Sequence, residues 1–129
     1  AIVGDSVFVH GGLKMKHLEY GLAKLDGDTR AWLRGERAEP GRAVAGEDGV
    51  VWMRDYSAQT GARECAELAT VLDALGVKRM VMGHTPQKPD ISETCDGRAF
   101  RIDTGMSRHY GGRVEVLEIA EGKTRVLKD

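Results

Sequence analysis

The fold class turns on Cys65-Ala66-Glu67-Leu68-Ala69-Thr70-Val71-Leu72-Asp73-Ala74-Leu75-Gly76-Val77-Lys78-Arg79-Met80-Val81-Met82-Gly83-His84-Thr85-Pro86. In its first half Cys65, Leu68, Ala69, Leu72 and Leu75 recur at i, i+3, i+4, i+7 and i+10, one face of an α-helix. Thr60 or Gly61 can cap the start of that helix, and Gly76 can end it as a left-handed residue. The second half changes period. Val77 to Met82 is a short apolar run stopped by Gly83-His84-Thr85-Pro86, which predicts a buried strand entering a tight turn. A helix leading straight into a buried strand is a unit of α/β architecture.

Upstream, Ser6-Val7-Phe8-Val9 is a second β-rich run, stopped by His10-Gly11-Gly12. Leu13 to Leu33 has helical spacing at Leu18, Leu22 and Leu25, and Gly27-Asp28 is expected to divide it into two shorter helices. Residues 35–49 are glycine-rich and charged and read as a surface excursion, the most mobile part of the chain. Val50-Val51-Trp52 restores apolar character before Met53-Arg54-Asp55-Tyr56. Downstream, Ala99-Phe100-Arg101-Ile102, Val114 to Ile119 and Thr124 to Leu127 read as strands, with Gly111-Gly112 and Glu121-Gly122 as turns. There is no internal repeat. The order predicts an α/β fold with a mixed sheet and antiparallel C-terminal strands.

Residues 1–129, 14.1 kDa, fit one domain. A compact chain of that mass exposes about 6,700 Å². With 41% apolar and 30% charged residues the composition is globular. Nineteen basic against 20 acidic residues give a net charge of -1, without the basic excess on which nucleic-acid affinity rests. No stretch approaches the ~20 apolar residues of a membrane helix. The first residues lack a signal-peptide pattern and an initiator methionine, so a trimmed or partial chain is expected. Cys65 and Cys95 have no CxxC spacing. Reduced thiols are the expectation, compatible with a cytoplasmic setting.

His10 and His84 occupy matching settings, each following a strand and each beside glycine. In open α/β sheets ligands gather beyond the carboxyl ends of strands, and an imidazole held there offers a nitrogen to a metal. A hydrogen-bonded structural histidine is the competing reading for either one. His17 lies in a helical pattern and is expected on the surface. Arg54 offers a planar fork that matches two phosphate oxygens, though such an arginine is more often a surface ion-pair partner. Ser107 to Gly112 could form a loop at a site.

Phe8-Val9-His10-Gly11-Gly12-Leu13, Val51-Trp52-Met53-Arg54-Asp55, Val81-Met82-Gly83-His84-Thr85-Pro86 and Ile102-Asp103-Thr104-Gly105-Met106-Ser107 occur in that order. The series resembles the C-terminal half of a calcineurin-like metallophosphoesterase of the phosphoprotein phosphatase family, closest to its Shewanella-like bacterial-type branch. The resemblance implies part of a β-sandwich flanked by helices and a site for two divalent metals (manganese, iron or zinc). It implies His10 and His84 as ligands of one metal, Arg54 on the substrate phosphate, and Tyr110 close by. The substrate implied is a phosphorylated protein or small phosphoester.

The family's Gly-Asp-x-His-Gly, Gly-Asp-x-x-Asp-Arg-Gly and Gly-Asn-His-Glu signatures are absent from this sequence. They carry the remaining ligands, so this chain supplies ligands for only one of the metals. Two protein ligands are fewer than the three usual at a catalytic zinc. The expectation is therefore weak metal binding, little or no hydrolysis by this chain alone, and pairing with the missing N-terminal half or self-association. Two alternatives stand beside this: a catalytically incompetent fragment serving as a binding or assembly module, and a dinucleoside polyphosphate hydrolase of the same superfamily.

Overall fold

The computed structural model describes residues 1–128. In chain order the elements are β1 (Ile2–Val3), β2 (Ser6–Val9), α1 (Met15–Tyr20), α2 (Leu22–Leu33), α3 (Arg42–Ala45), α4 (Ala62–Leu75), β3 (Arg79–Met82), β4 (Ser92–Thr94), β5 (Ala99–Arg101), β6 (Glu115–Ala120) and β7 (Lys123–Lys128). Five strands form one mixed sheet in the order β1-β2-β3-β5-β4, and β6 and β7 form a separate antiparallel hairpin. β2, β3 and β5 run parallel, while β1 and β4 flank them antiparallel. This is the mixed α/β arrangement expected from the sequence.

β3 is buried at all four positions, as a central parallel strand covered on both faces must be. Its register pairs Val7 with Met80, Val9 with Met82, and Met80 with Ala99. These residues share a core with Leu68, Val71 and Leu72 of α4. Leu68, Leu72 and Leu75 of the stripe read from the sequence face this core, joined by Val71, which that stripe left out. Gly61 begins the helix, with its amide donating to Glu64 Oε2 at 2.9 Å, and Gly76 ends it at a φ of 66°.

The opposite face of the sheet carries the row Phe8, Val81 and Phe100. Val81 and Phe100 are buried, whereas Phe8 is 36% exposed. A cleft of about 370 Å³ separates it from Leu117 and Ile119 of β6. The whole chain exposes 7947 Å², about 1,200 Å² beyond the expectation for a compact chain of its mass.

Several expectations fail for identifiable reasons. The helical break falls at Gly21, with a φ of 100°, and not at Gly27. Gly27 stays inside α2 because the next residue, Asp28, is tied down by Tyr20 (2.5 Å), Lys24 and Arg37. The excursion at 35–49 is not wholly superficial. It contains α3, buries Val44, and binds the following chain through Val50 N to Ala43 O (3.1 Å) and Val51 N to Val44 O (3.2 Å). Val50–Trp52 is a turn, and the short edge strands β1 and β4 carry no marked pattern in the sequence.

His17 is not at the surface but 1% exposed. Its Nδ1 accepts from the Lys14 amide at 2.9 Å and its Nε2 lies 3.0 Å from the Asp48 carbonyl, so a neutral ring with Nε2 protonated satisfies both nitrogens. Burial holds its pKa below the ordinary imidazole value, against the upward pull of the Asp48 carbonyl. Because the fold prefers the neutral ring, this stabilisation is complete above the unfolded value of about 6.5. It is lost as pH falls through the window below that value. Urea denaturation across that window should show a loss of stability in the native chain that is absent from His17→Gln. An equal loss in both would assign it to another group.

The two cysteines, expected as free thiols, form a disulfide between the first turn of α4 and the β4–β5 turn, with Cα atoms 5.2 Å apart. Packing of α4 on the sheet sets that distance, and sequence spacing carries no trace of it. The bond closes a loop of 30 residues, for which chain entropy gives a stabilisation of about 3–4 kcal/mol. The Cys65→Ser, Cys95→Ser variant should lose that amount in urea denaturation, and dithiothreitol should impose the same loss on the native chain.

Among the described residues no helix is long and apolar enough to cross a membrane.

Candidate functional site

β2 and β3 are parallel neighbours with Val9 opposite Met82, so their carboxyl ends emerge side by side. The Gly83 amide donates to the His10 carbonyl at 3.1 Å and carries the pairing one step past the sheet. There the two imidazoles meet: His10 Nε2 stands 3.1 Å from His84 Nδ1, with ring centroids 4.9 Å apart. The residues are 74 positions apart in sequence. His84 holds a φ of 66°, a left-handed conformation that is costly for a residue with a Cβ.

Burial first, then the Arg54 guanidinium and His10, hold the His84 pKa below the ordinary value, against smaller upward pulls from the Trp52 backbone and Asp103. Its buried Nε2 has no hydrogen-bond partner. Among the described residues no third histidine, cysteine, aspartate or glutamate joins the pair to make a metal-binding group.

The loop bearing Arg54 is laid against the His10 turn by close backbone contact. Gly11 N donates to Val50 O at 2.8 Å, and a Cβ at Gly11 would lie 2.9 Å from the Met53 carbonyl. Only glycine permits that approach. Arg54 is exposed. Its carbon Cζ lies 5.8 Å from the Trp52 ring centroid, and Nη1 reaches the Trp52 carbonyl at 3.4 Å. The Trp52 ring stands edge-on to His84 at 5.3 Å and is 49% exposed. A single patch thus gathers His10, Trp52, Arg54 and His84.

Tyr110 lies farther out. It is 58% exposed and packs edge-on against His109, while its Cβ nestles against Gly105. A Cβ built on Gly105 would lie 2.9 Å from the Tyr110 Cβ and 3.7 Å from Pro86, two residues past His84, which puts the 105–112 loop beside the His84 loop. Sequence reading passed over Trp52 as a contact of His84, and over the brace between the loops. Ser57 Oγ meets Thr85 Oγ1 at 2.8 Å, and the Gln87 carboxamide donates to the carbonyls of Ser57 and Thr85. An aromatic residue two before a candidate phosphate arginine was a usable signal. Hydroxyl pairs 28 residues apart leave none.

No family model matches the chain. It is similar to Shewanella-like protein phosphatase 2 of Arabidopsis thaliana, 46% identical over 125 residues, 92% of this chain and 32% of that protein. It is also similar to Shewanella-like protein phosphatase 1 of Plasmodium berghei, 30% identical over 119 residues, 84% of this chain and 33% of that one. The chain therefore spans about a third of the length of these curated relatives. A solved cold-active protein tyrosine phosphatase superposes with a TM-score of 0.75 at 23% identity, over 95% of this chain and 37% of that one. A second, from a psychrophilic Shewanella species, gives a TM-score of 0.69 at 22% identity, with 95% and 38% covered. These two likenesses concern the fold.

Proposed function

We propose that this chain, a homologue of about one third of the Shewanella-like protein phosphatases, is the part of a metal-dependent phosphatase that contributes two metal-ligand histidines and a phosphate-binding arginine. The observation that carries the reading is the 3.1 Å approach of His10 Nε2 to His84 Nδ1 at the ends of adjacent parallel strands. Imidazole nitrogens bind a transition metal at about 2.0–2.1 Å. Two such nitrogens in neighbouring positions around one ion stand about 3 Å apart by that bond length. The donor set therefore fits two ligand positions of one ion. Bound there, a divalent cation would polarise phosphate oxygens and acidify a water.

The chain's own residues do the rest of its share. His10 and His84 present two imidazoles fixed by β2 and β3. Arg54, with no carboxylate partner among the described residues, has its fork free for two phosphate oxygens. Trp52 walls the space between Arg54 and His84. Tyr110 sits at the outer rim, within reach of the substrate portion beyond the phosphate. A phosphorylated protein is the substrate class we infer, in keeping with the protein phosphatases it is similar to.

The set is incomplete, so the remaining ligands come from a polypeptide equivalent to the other two thirds of the relatives. The bared Phe8 and its cleft mark where such a polypeptide would cover the sheet. Alone with Mn²⁺, the chain should turn over p-nitrophenyl phosphate at background rate; joined to that polypeptide, it should gain turnover that depends on His10, His84 and Arg54. Turnover indifferent to all three overturns the reading. The isolated chain should also self-associate in sedimentation at high concentration, and a monodisperse monomer there counts against a covering partner.

A further inference from the structure

Arg54 is exposed and forms no ion pair among the described residues, and its guanidinium leans on the Trp52 carbonyl and ring of the same loop, so the direction of its fork depends on the backbone of that loop. That backbone is a closed turn. The Arg54 carbonyl accepts from Ser57 N at 3.0 Å and from Ala58 N at 2.9 Å. Around it runs a belt anchored in the sheet. Arg101, at the carboxyl end of β5, donates Nε to the Tyr56 carbonyl at 2.8 Å and Nη2 to Thr60 Oγ1 at 2.9 Å. The Thr60 hydroxyl, having accepted that bond, donates to the Asp55 carbonyl at 3.1 Å. The segment just past Arg54 is therefore fixed, at the Asp55 and Tyr56 carbonyls, from a strand of the main sheet. On its far side, Lys14 Nζ holds Asp55 Oδ1 at 2.6 Å.

We propose that Thr60 and Arg101 are positioning residues for Arg54, a guanidinium fork on the sheet gripping the turn so that a second fork is aimed at the phosphate. The proposal rests on the reading of Arg54 as the phosphate-binding group. A structural brace alone would need only a fixed loop. Here the chain of donors leads to the carbonyl of Asp55, the residue next to the arginine, and small misplacements of an oriented group are costly to binding and chemistry. A lysine at 101 keeps the charge but cannot serve two acceptors in a plane.

The test is a titration of the full chain with inorganic phosphate, followed in nitrogen–proton correlation spectra at the backbone amide signals of residues 52–58 in every variant and, where Arg54 is present, at its Nε–H signal. Thr60→Val and Arg101→Lys should weaken phosphate binding by about threefold to tenfold, the worth of one net hydrogen bond. Thr60→Ser, which restores the hydroxyl, should return to the native value. Backbone signals away from residues 54–60 and from the substituted position should hold their positions, which separates misdirection from unfolding. If Arg54→Ala abolishes phosphate binding while Thr60→Val binds as the native chain does, the belt is irrelevant and the proposal fails with the Arg54 reading intact. If Arg54→Ala leaves phosphate binding unchanged, the Arg54 reading falls and takes the proposal with it.

Discussion

Exchanging Gly112 for alanine is expected to remove about 3–5 kcal/mol of stability. A Cβ at this position would lie 1.7 Å from the Thr104 carbonyl oxygen and 2.8 Å from that of Gly105. Both obstacles are backbone, so no side chain can swing aside. The clash can be relieved only by opening the loop. That sacrifices the bond from Gly112 N to Gly105 O at 2.9 Å and the one from Thr104 Oγ1 to Arg113 O at 2.8 Å. Thr104 is buried, so its hydroxyl would lose its partner away from water. Gly111→Ala is the control. Gly111 has a φ of 65° and nothing within 4 Å of a Cβ, so alanine there meets only backbone strain of about 1–2 kcal/mol. Urea denaturation of both variants checks the ordering, and a smaller loss for Gly112→Ala than for Gly111→Ala would sink the close-packed loop.

His84→Gly is expected to separate function from stability. Losing one imidazole of the pair should weaken Zn²⁺ or Mn²⁺ binding in calorimetry by more than about tenfold, the lower bound set by losing a supporting group one layer farther out. The same change releases a left-handed residue from the cost of its Cβ, about 1–2 kcal/mol, offset by lost contacts with Trp52 and His10. Stability should therefore hold or rise slightly while metal binding falls. His84→Ala should lose metal binding equally but keep the backbone cost. A variant that binds metal as the native chain does removes the pair from the site.

The main sheet was largely legible. The stripe from Cys65 to Leu75, the glycine at 76 and the apolar run to Met82 were sufficient to place α4 and β3, because burial on a helix face and on a central strand leaves a period in the sequence. The pair at 10 and 84 was legible in kind, since each histidine follows a strand and precedes or follows glycine. Its closeness came from the parallel register, which no local pattern encodes. Edge strands β1 and β4 were missed because they are short and leave no buried face to print a period, β1 being exposed and β4 only partly covered. Free thiols were expected where a disulfide stands, and a surface histidine where His17 is buried, for one shared reason. Both outcomes depend on which distant segment packs alongside, Cys95 in one case and Asp48 in the other. The loops bracing Arg54 were illegible on the same ground.

The sulfur–sulfur bond also constrains how copies of this chain could exchange segments. Residues 66–94, with the central strand and His84, lie inside a covalent ring, whereas β1–α3 and the β6–β7 hairpin hang outside it. A swapped dimer, in which each copy lends an identical piece to the other, can therefore trade either flank while the ring keeps its own strand. The C-terminal hairpin is held to the ring by Arg79 donating to the Gly122 carbonyl at 3.0 Å, by the Ile91 amide donating to Glu115 Oε2 at 2.7 Å and by Lys128 on Asp90 at 2.7 Å. Those are the bonds an exchange of the hairpin would break and re-form.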